Sequence, residues 1–356
     1  MKASDRRVLG RTGVHVSPVC LGTMMFGEWG NADHADSIRI IHAALDAGVN
    51  FIDTADIYSH GECEEIVGKA LAGGRRDDVV LATKFFQQLD DDPNHGGSSR
   101  RWIMQAVDDS LRRLGTDWID LYQAHRPDPR TDIDETLGAL TDLVQAGKVR
   151  YIGTSCFPPE EQVEASVVAE RRGRERFACE QPQYSILARG AEGDMFPTCE
   201  RLGMGVITYS PLNGGWLTGR YREGATDRDS VRAEQMPDLY NLKARLDPTL
   251  AKHRDKLAAT EHLALLAEET GITLIELAIA FVLEHPAVTA PILGPRTMDQ
   301  LEAQLKAIEV DLDDTILDRI DEIVPPGTFF TSTDAPWTAP GLQPSARRRR
   351  LRAGAG

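Results

Sequence analysis

The sequence predicts a single (β/α)₈ barrel, on three observations. Short apolar runs rich in β-branched residues occur eight times, and stretches with helical periodicity separate them. No Gly-x-Gly-x-x-Gly opens a helix after a strand and no Gly-Lys-Ser/Thr loop is present, so an open doubly wound sheet lacks its usual fingerprint. Eight repeats favour the closed barrel over that sheet. At 356 residues the chain fits one barrel with insertions.

The eight predicted strands are residues 19–22, 51–54, 79–84, 119–123, 151–154, 177–180, 205–208 and 289–293. Between the first two, Ile38, Ile41, Ala44 and Leu45 share one helical face that ends at Gly48, a residue suited to the left-handed position after a helix. Ile103, Val107, Leu111 and Leu114 make a second apolar stripe. Ile133, Leu137, Leu140 and Val144 make a third, closed by Gly147. Three segments lie outside the repeat. Residues 6–18, with Gly10, Gly13 and Pro18, predict a hairpin before the first strand. Residues 219–255 are a long polar insertion after the seventh strand, on the face where barrel enzymes place their chemistry. Residues 325–356 are a Pro/Gly/Ser tail ending in arginines, so the predicted domain is 1–324.

Composition narrows the function classes. Hydrophobic residues make up 41% and charged residues 27%, which suits a large core. The net charge of −15, from 40 Lys and Arg against 55 Asp and Glu, argues against generic nucleic-acid or anionic-membrane binding. It does not exclude an anionic ligand, which reads the local field of a cleft. Five widely spaced cysteines with no Cys-x-x-Cys predict reduced thiols, and no apolar run is long enough for a signal h-region or a bilayer span. The expectation is a cytoplasmic protein. His253, His262 and His285 have no metal-ligand spacing, and no metal is expected.

Residues at the C-terminal ends of barrel strands face the active site. Strand two ends in Asp53, with Tyr58 five residues on, strand three ends in Lys84, and strand four runs into His125. Taken singly, Asp53 and Lys84 are compatible with a rim ion pair, and Tyr58 and His125 with packing. Together they solve one chemical problem. Hydride delivered to a carbonyl carbon makes an alkoxide that needs a proton at oxygen. A free tyrosine, with a pKa near ~10, is a sluggish donor, and a neighbouring ammonium favours its ionised form. Asp53 would hold that ammonium, and His125 could hydrogen-bond the carbonyl.

These residues sit in stretches that resemble the aldo-keto reductase family over most of residues 6–324: 50–58 with Asp53 and Tyr58, 82–85 with Lys84, and 121–128 with His125. Residues 9–13 and 21–24 resemble the bacterial branch, which also includes potassium-channel β-subunits. The resemblance implies an NADP(H)-dependent oxidoreductase that reduces an aldehyde or ketone. It implies that Gly22, Thr23 and Met24 line the nicotinamide end with Asp53. Ser155 and Gln181 match the residues that hydrogen-bond the carboxamide, and Tyr209 matches the aromatic stacked on the ring. Ser210, Pro211, Leu212, Gly214 and Arg220 resemble the loop over the pyrophosphate. Gly294, Arg296 and Gln300 match the region of the 2′-phosphate, where a helix N-terminus with an arginine favours NADP(H) over NAD(H).

The sequence departs from the family pattern at four positions. Cys156 stands where many members have Asn, Ala303 and Gln304 where Glu and Asn are common, and Cys63 where Ser is usual. Cys156 reads as a buried inert thiol. A rival reading is an NADPH-binding regulatory or redox-sensor protein with slow turnover, as channel β-subunits suggest; His125, where those proteins show Asn, favours catalysis. A metal-dependent barrel hydrolase would need clustered His and carboxylates at strand ends. The expected partner is a small-molecule carbonyl compound, entering past residues 24–34, 86–100 and 219–255; a homo-oligomer is open. Trp337, Pro340 and Arg348 resemble the ending of similar bacterial reductases and suggest a docking or oligomer contact.

Overall fold

The computed structural model describes residues 1–222 and 242–331. Eight parallel strands close a barrel in the order β10-β3-β4-β5-β6-β7-β8-β9. They are β3 (Cys20–Gly22), β4 (Phe51–Asp53), β5 (Val80–Phe85), β6 (Ile119–Ala124), β7 (Val149–Ser155), β8 (Cys179–Gln181), β9 (Gly205–Thr208) and β10 (Ala290–Leu293). Each expected strand is present to within two residues at either end. The expected hairpin is β1 (Arg7–Val8) and β2 (His15–Val16), paired antiparallel. It closes the bottom of the barrel, and Leu9 and Val16 join the inner cluster. Here Gly10 is required, because at φ +54° a Cβ would lie 2.5 Å from the amide nitrogen of Gly205.

Helices wrap the outside: α1 (His34–Asp46), α2 (Glu62–Leu71), α3 (Arg100–Leu114), α4 (Ile133–Gln145), α5 (Pro159–Arg172) and α6 (Met195–Leu202) follow the first six barrel strands. After β9 come a short α7 (Leu242–Leu246), α8 (Arg254–Thr270) and α9 (Leu274–Glu284); after β10 come α10 (Met298–Lys306) and α11 (Asp314–Ile323). Side chains set where they begin. Asp33, Ser99, Asp132, Thr297 and Asp313 each accept a first-turn amide, and Thr273 with Glu276 forms a reciprocal cap on α9.

The helical stripes are displaced slightly from the expected ones. On α1 the buried line runs through Ser37, Ile40, Ile41 and Ala44, leaving Ile38 and Leu45 as half-buried flanks. Helix α3 buries Trp102 and Ala106 beside Ile103 and Val107, because it packs against both α2 and α4. Most of the insertion, 223–241, and all of the arginine-rich ending, with Trp337, Pro340 and Arg348, lie outside the described residues.

Candidate active site

Strand alternation builds the site floor. Phe51, Ala82, Leu121, Cys179 and Ile207 point into the barrel and form one apolar layer with Cys20, Ala290 and Ile292. Two residues further along the same strands stand Asp53, Lys84, Gln123, Gln181 and Tyr209, which therefore point inward one layer higher. Polar residues at these positions place a polar floor directly over the apolar plug.

On that floor, the ammonium of Lys84 donates three hydrogen bonds: to Asp53 Oδ2 at 2.5 Å, to the Thr54 carbonyl at 2.8 Å and to the Tyr58 hydroxyl at 3.2 Å. Lys84 is 0% exposed, so each of its three N–H groups needs an acceptor. Asp53 accepts at its other oxygen from Gln181 Nε2 at 2.9 Å and Gln123 Nε2 at 3.2 Å. One buried ion pair is thereby enclosed by neutral amides, the arrangement that lets paired charges survive burial.

Tyr58 reaches the floor from the loop after β4. Ser59, His60 and Gly61 follow it in left-handed backbone, turning the chain sharply into α2. Ser59 locks that turn by donating to the Phe26 carbonyl at 2.8 Å and accepting from the Trp29 amide at 3.2 Å. Trp29 packs against Tyr58, with ring centroids 6.3 Å apart. His125 stands edge-on to the Tyr58 ring at 5.9 Å. Burial, then Arg126 and Lys84, hold the His125 imidazole well below the usual histidine pKa, so it is neutral near pH 7. Its buried Nδ1 has no hydrogen-bond partner.

The residues expected to hold a dinucleotide line one edge of this floor. Thr23 donates to the Asp53 carbonyl from its amide at 3.0 Å and from its hydroxyl at 3.2 Å. Beside it, Met24 is half-buried, and at Gly22 a Cβ would meet Ile292 Cγ2 at 2.5 Å. Ser155 donates to the Gln181 carbonyl at 3.0 Å, and the Cys156 thiol lies 3.5 Å from both the Ser155 and Tyr209 hydroxyls. After Tyr209, left-handed backbone at Ser210, Asn213, Gly214 and Gly215 bends the chain around Pro211 and Leu212, and Arg220 follows, half-buried. A left-handed turn of this kind can direct successive amides toward an anion, and a Cβ at Gly215 or Gly219 would meet open space. At the end of the adjacent strand β10, Gly294 is exposed and likewise open, Thr297 caps α10, and the exposed Gln300 accepts from the Arg296 amide at 2.8 Å. The residues present fit a bound dinucleotide along this edge.

The aldo/keto reductase family model matches residues 18–325. The chain belongs to the aldo/keto reductase family. It is 41% identical over 329 residues to "Uncharacterized oxidoreductase YrpG" of Bacillus subtilis, covering 89% of this chain and 95% of that one. It is 36% identical to "Probable voltage-gated potassium channel subunit beta" of Arabidopsis thaliana, with the same coverages. Against "Versiconal hemiacetal acetate reductase" of Aspergillus parasiticus the identity is 35%, over 85% of this chain and 92% of that one. As a member of the aldo/keto reductases it is an oxidoreductase of a family that acts on small-molecule carbonyl compounds with nicotinamide cofactors. No helix among its described residues is long and apolar enough to cross a membrane, and no cluster of three or more His, Cys, Asp or Glu among them could hold a metal ion.

Residues outside the expected site set also stand out in the structure. Gln123 braces Asp53 and accepts from Gln181 at 3.3 Å. Its phase on β6, two after inward Leu121 and two before His125, was the available signal. Trp29, within the 24–34 loop, is 2% exposed and stands against Tyr58. Gln304, one of the departures from the family pattern, is buried with its Oε1 lacking a partner.

Proposed function

We propose that this protein is an NADP(H)-dependent reductase of aldehydes or ketones, with Tyr58 as the general acid. The observation that carries the reading is the Lys84 ammonium, 3.2 Å from the Tyr58 hydroxyl and 2.5 Å from the Asp53 carboxylate. When bound, the nicotinamide supplies a hydride. Tyr58 gives its proton to the carbonyl oxygen, and Lys84 stabilises the tyrosinate left behind. Asp53 fixes the ammonium and balances its charge. Neutral His125 offers an N–H to the same oxygen without competing for the proton. Ser155 and Gln181 hold the carboxamide, Tyr209 stacks on the ring, and residues 210–220 cover the pyrophosphate.

For the cofactor's far end, Arg296 beside the capped start of α10 supports a 2′-phosphate, hence NADP(H). Five buried, unpaired cysteines suit a cytoplasmic setting. A panel of aromatic aldehydes, short-chain aldehydes and keto sugars, followed by NADPH absorbance with NADH in parallel, tests the proposal. Turnover with NADPH on at least one class supports it. The relatives named as potassium channel β subunits favour a second reading, an NADPH-binding regulator, and tight NADPH binding with no turnover on any class would select it.

A further inference from the structure

Ser155 and Gln181 are paired across β7 and β8, and the rung below them pairs Thr154 with Glu180. By alternation this second pair points away from the barrel interior, under α5. Glu180 is 0% exposed. Its Oε2 accepts from Thr154 Oγ1 at 2.5 Å and from Gln162 Nε2 at 2.7 Å, and the same Gln162 nitrogen lies 2.6 Å from Thr154 Oγ1. Oε1 has no partner at hydrogen-bonding geometry, although the amides of Cys156 and Phe157 lie near enough to favour the charged form. Burial outweighs those amides and the more distant Arg126, and pushes the carboxyl up to about 8. Its charge would also raise the neighbouring thiols of Cys179, on the inner face of the same strand, and Cys199.

A buried carboxyl is costly, and this one touches no part of the proposed acid machinery. What it adjoins is a strained turn. Cys156 is a non-glycine residue at φ +61°, held from the barrel side by its amide donating to the Gln181 carbonyl at 3.3 Å. Its thiol contacts Ser155 and Tyr209. Ser155, Cys156, Gln181 and Tyr209 form the shelf on which the nicotinamide ring is proposed to lie. Held only from inside, the 155–157 segment would be free to relax away from it; Glu180, Thr154 and Gln162 form its outer support.

We propose that Glu180 is a positioning residue for the nicotinamide end of the cofactor, acting through Thr154 and the Cys156 turn. This rests on the assignment of Ser155 and Gln181 to the carboxamide. The test measures dissociation constants by fluorescence titration for NADPH and by competition for adenosine 2′,5′-bisphosphate, which lacks the nicotinamide. In Glu180→Ala, NADPH binding should weaken at least about tenfold while the bisphosphate is unchanged and kcat at saturating NADPH stays within about threefold. Glu180→Gln, which keeps an acceptor for Thr154, should recover most of the loss. Thr154→Val, a milder change of the same network, should weaken NADPH selectively if Glu180→Ala does not fold. Unchanged NADPH affinity, or equal weakening of both ligands, in whichever of these variants folds overturns the proposal. Gln181→Ala separates the two levels: if it leaves NADPH binding intact, the carboxamide assignment itself fails; if it weakens binding and Glu180→Ala does not, only the role of Glu180 fails.

Discussion

The Lys84 ammonium donates at 3.2 Å to the hydroxyl of Tyr58, while its Asp53 and Thr54 contacts use its other two donors. The lysine is therefore fully committed, with no donor left for solvent, and the phenol is its third acceptor. Its effect on Tyr58 is set by the fold, through two strand ends and one loop.

Replacing Lys84 with Met removes the cation and strands a buried carboxylate. The carbonyl reduction rate should fall by about 10²–10⁴, and stability by roughly 3–5 kcal/mol. Pairing it with Asp53→Asn should recover much of the stability and none of the rate. Chemical denaturation and single-turnover kinetics on the single and double variants check both; recovery of rate in the double variant would contradict the assignment.

Arg296→Ala separates the two cofactors. Losing one guanidinium at a phosphate should weaken NADPH binding by roughly 10- to 100-fold and leave NADH binding nearly unchanged. Fluorescence titrations with both nucleotides read this directly, and equal losses would argue against a 2′-phosphate at α10.

Much of this geometry was legible in the sequence for a physical reason. Asp53, Lys84 and His125 stand at or just beyond strand ends in phase with inward residues, and charged or ionisable groups there are conspicuous. Gln123 obeys the same phase, but an amide carries no charge signature. The support of Glu180 by Gln162 joins a strand to a helix 18 residues earlier, and strand periodicity marks Glu180 only as outward. On the helices, the stripe centre on α1 moved because neighbouring helices decide which flank is covered. The contribution of Thr54 is a backbone carbonyl, which side-chain chemistry does not announce.

Neutral His125 makes stability fall on acidification. Its folded pKa lies well below 6.5, so between 6.5 and that value the unfolded chain binds a proton that the folded chain does not. Stability is full above pH 6.5 and is lost by up to about 1.4 kcal/mol per pH unit below it. His125→Asn should reduce the difference in stability between pH 7 and pH 5.5; an unchanged difference would mean that the imidazole is charged in the folded protein.

Asp56 is buried behind the floor, and neither carboxylate oxygen has a partner. Burial, reinforced by Glu64, raises its pKa well above the usual carboxylate value. The folded state therefore keeps a proton that the unfolded state releases as pH rises above about 4, so stability is lost with rising pH. Asp56→Asn should stabilise the protein by roughly 1–3 kcal/mol at pH 7.5 and hardly at all near pH 4. Thermal melts at the two pH values check it, and equal shifts at both would refute the neutral buried carboxyl.

The most direct measurement of the central claim is single-turnover reduction of an active aldehyde by Tyr58→Phe with NADPH bound. NADPH should bind with an unchanged dissociation constant and hydride transfer should slow by about two to four decades, because the ring stays and only the proton is lost. A variant that binds NADPH normally and reduces the aldehyde at the full rate would contradict it.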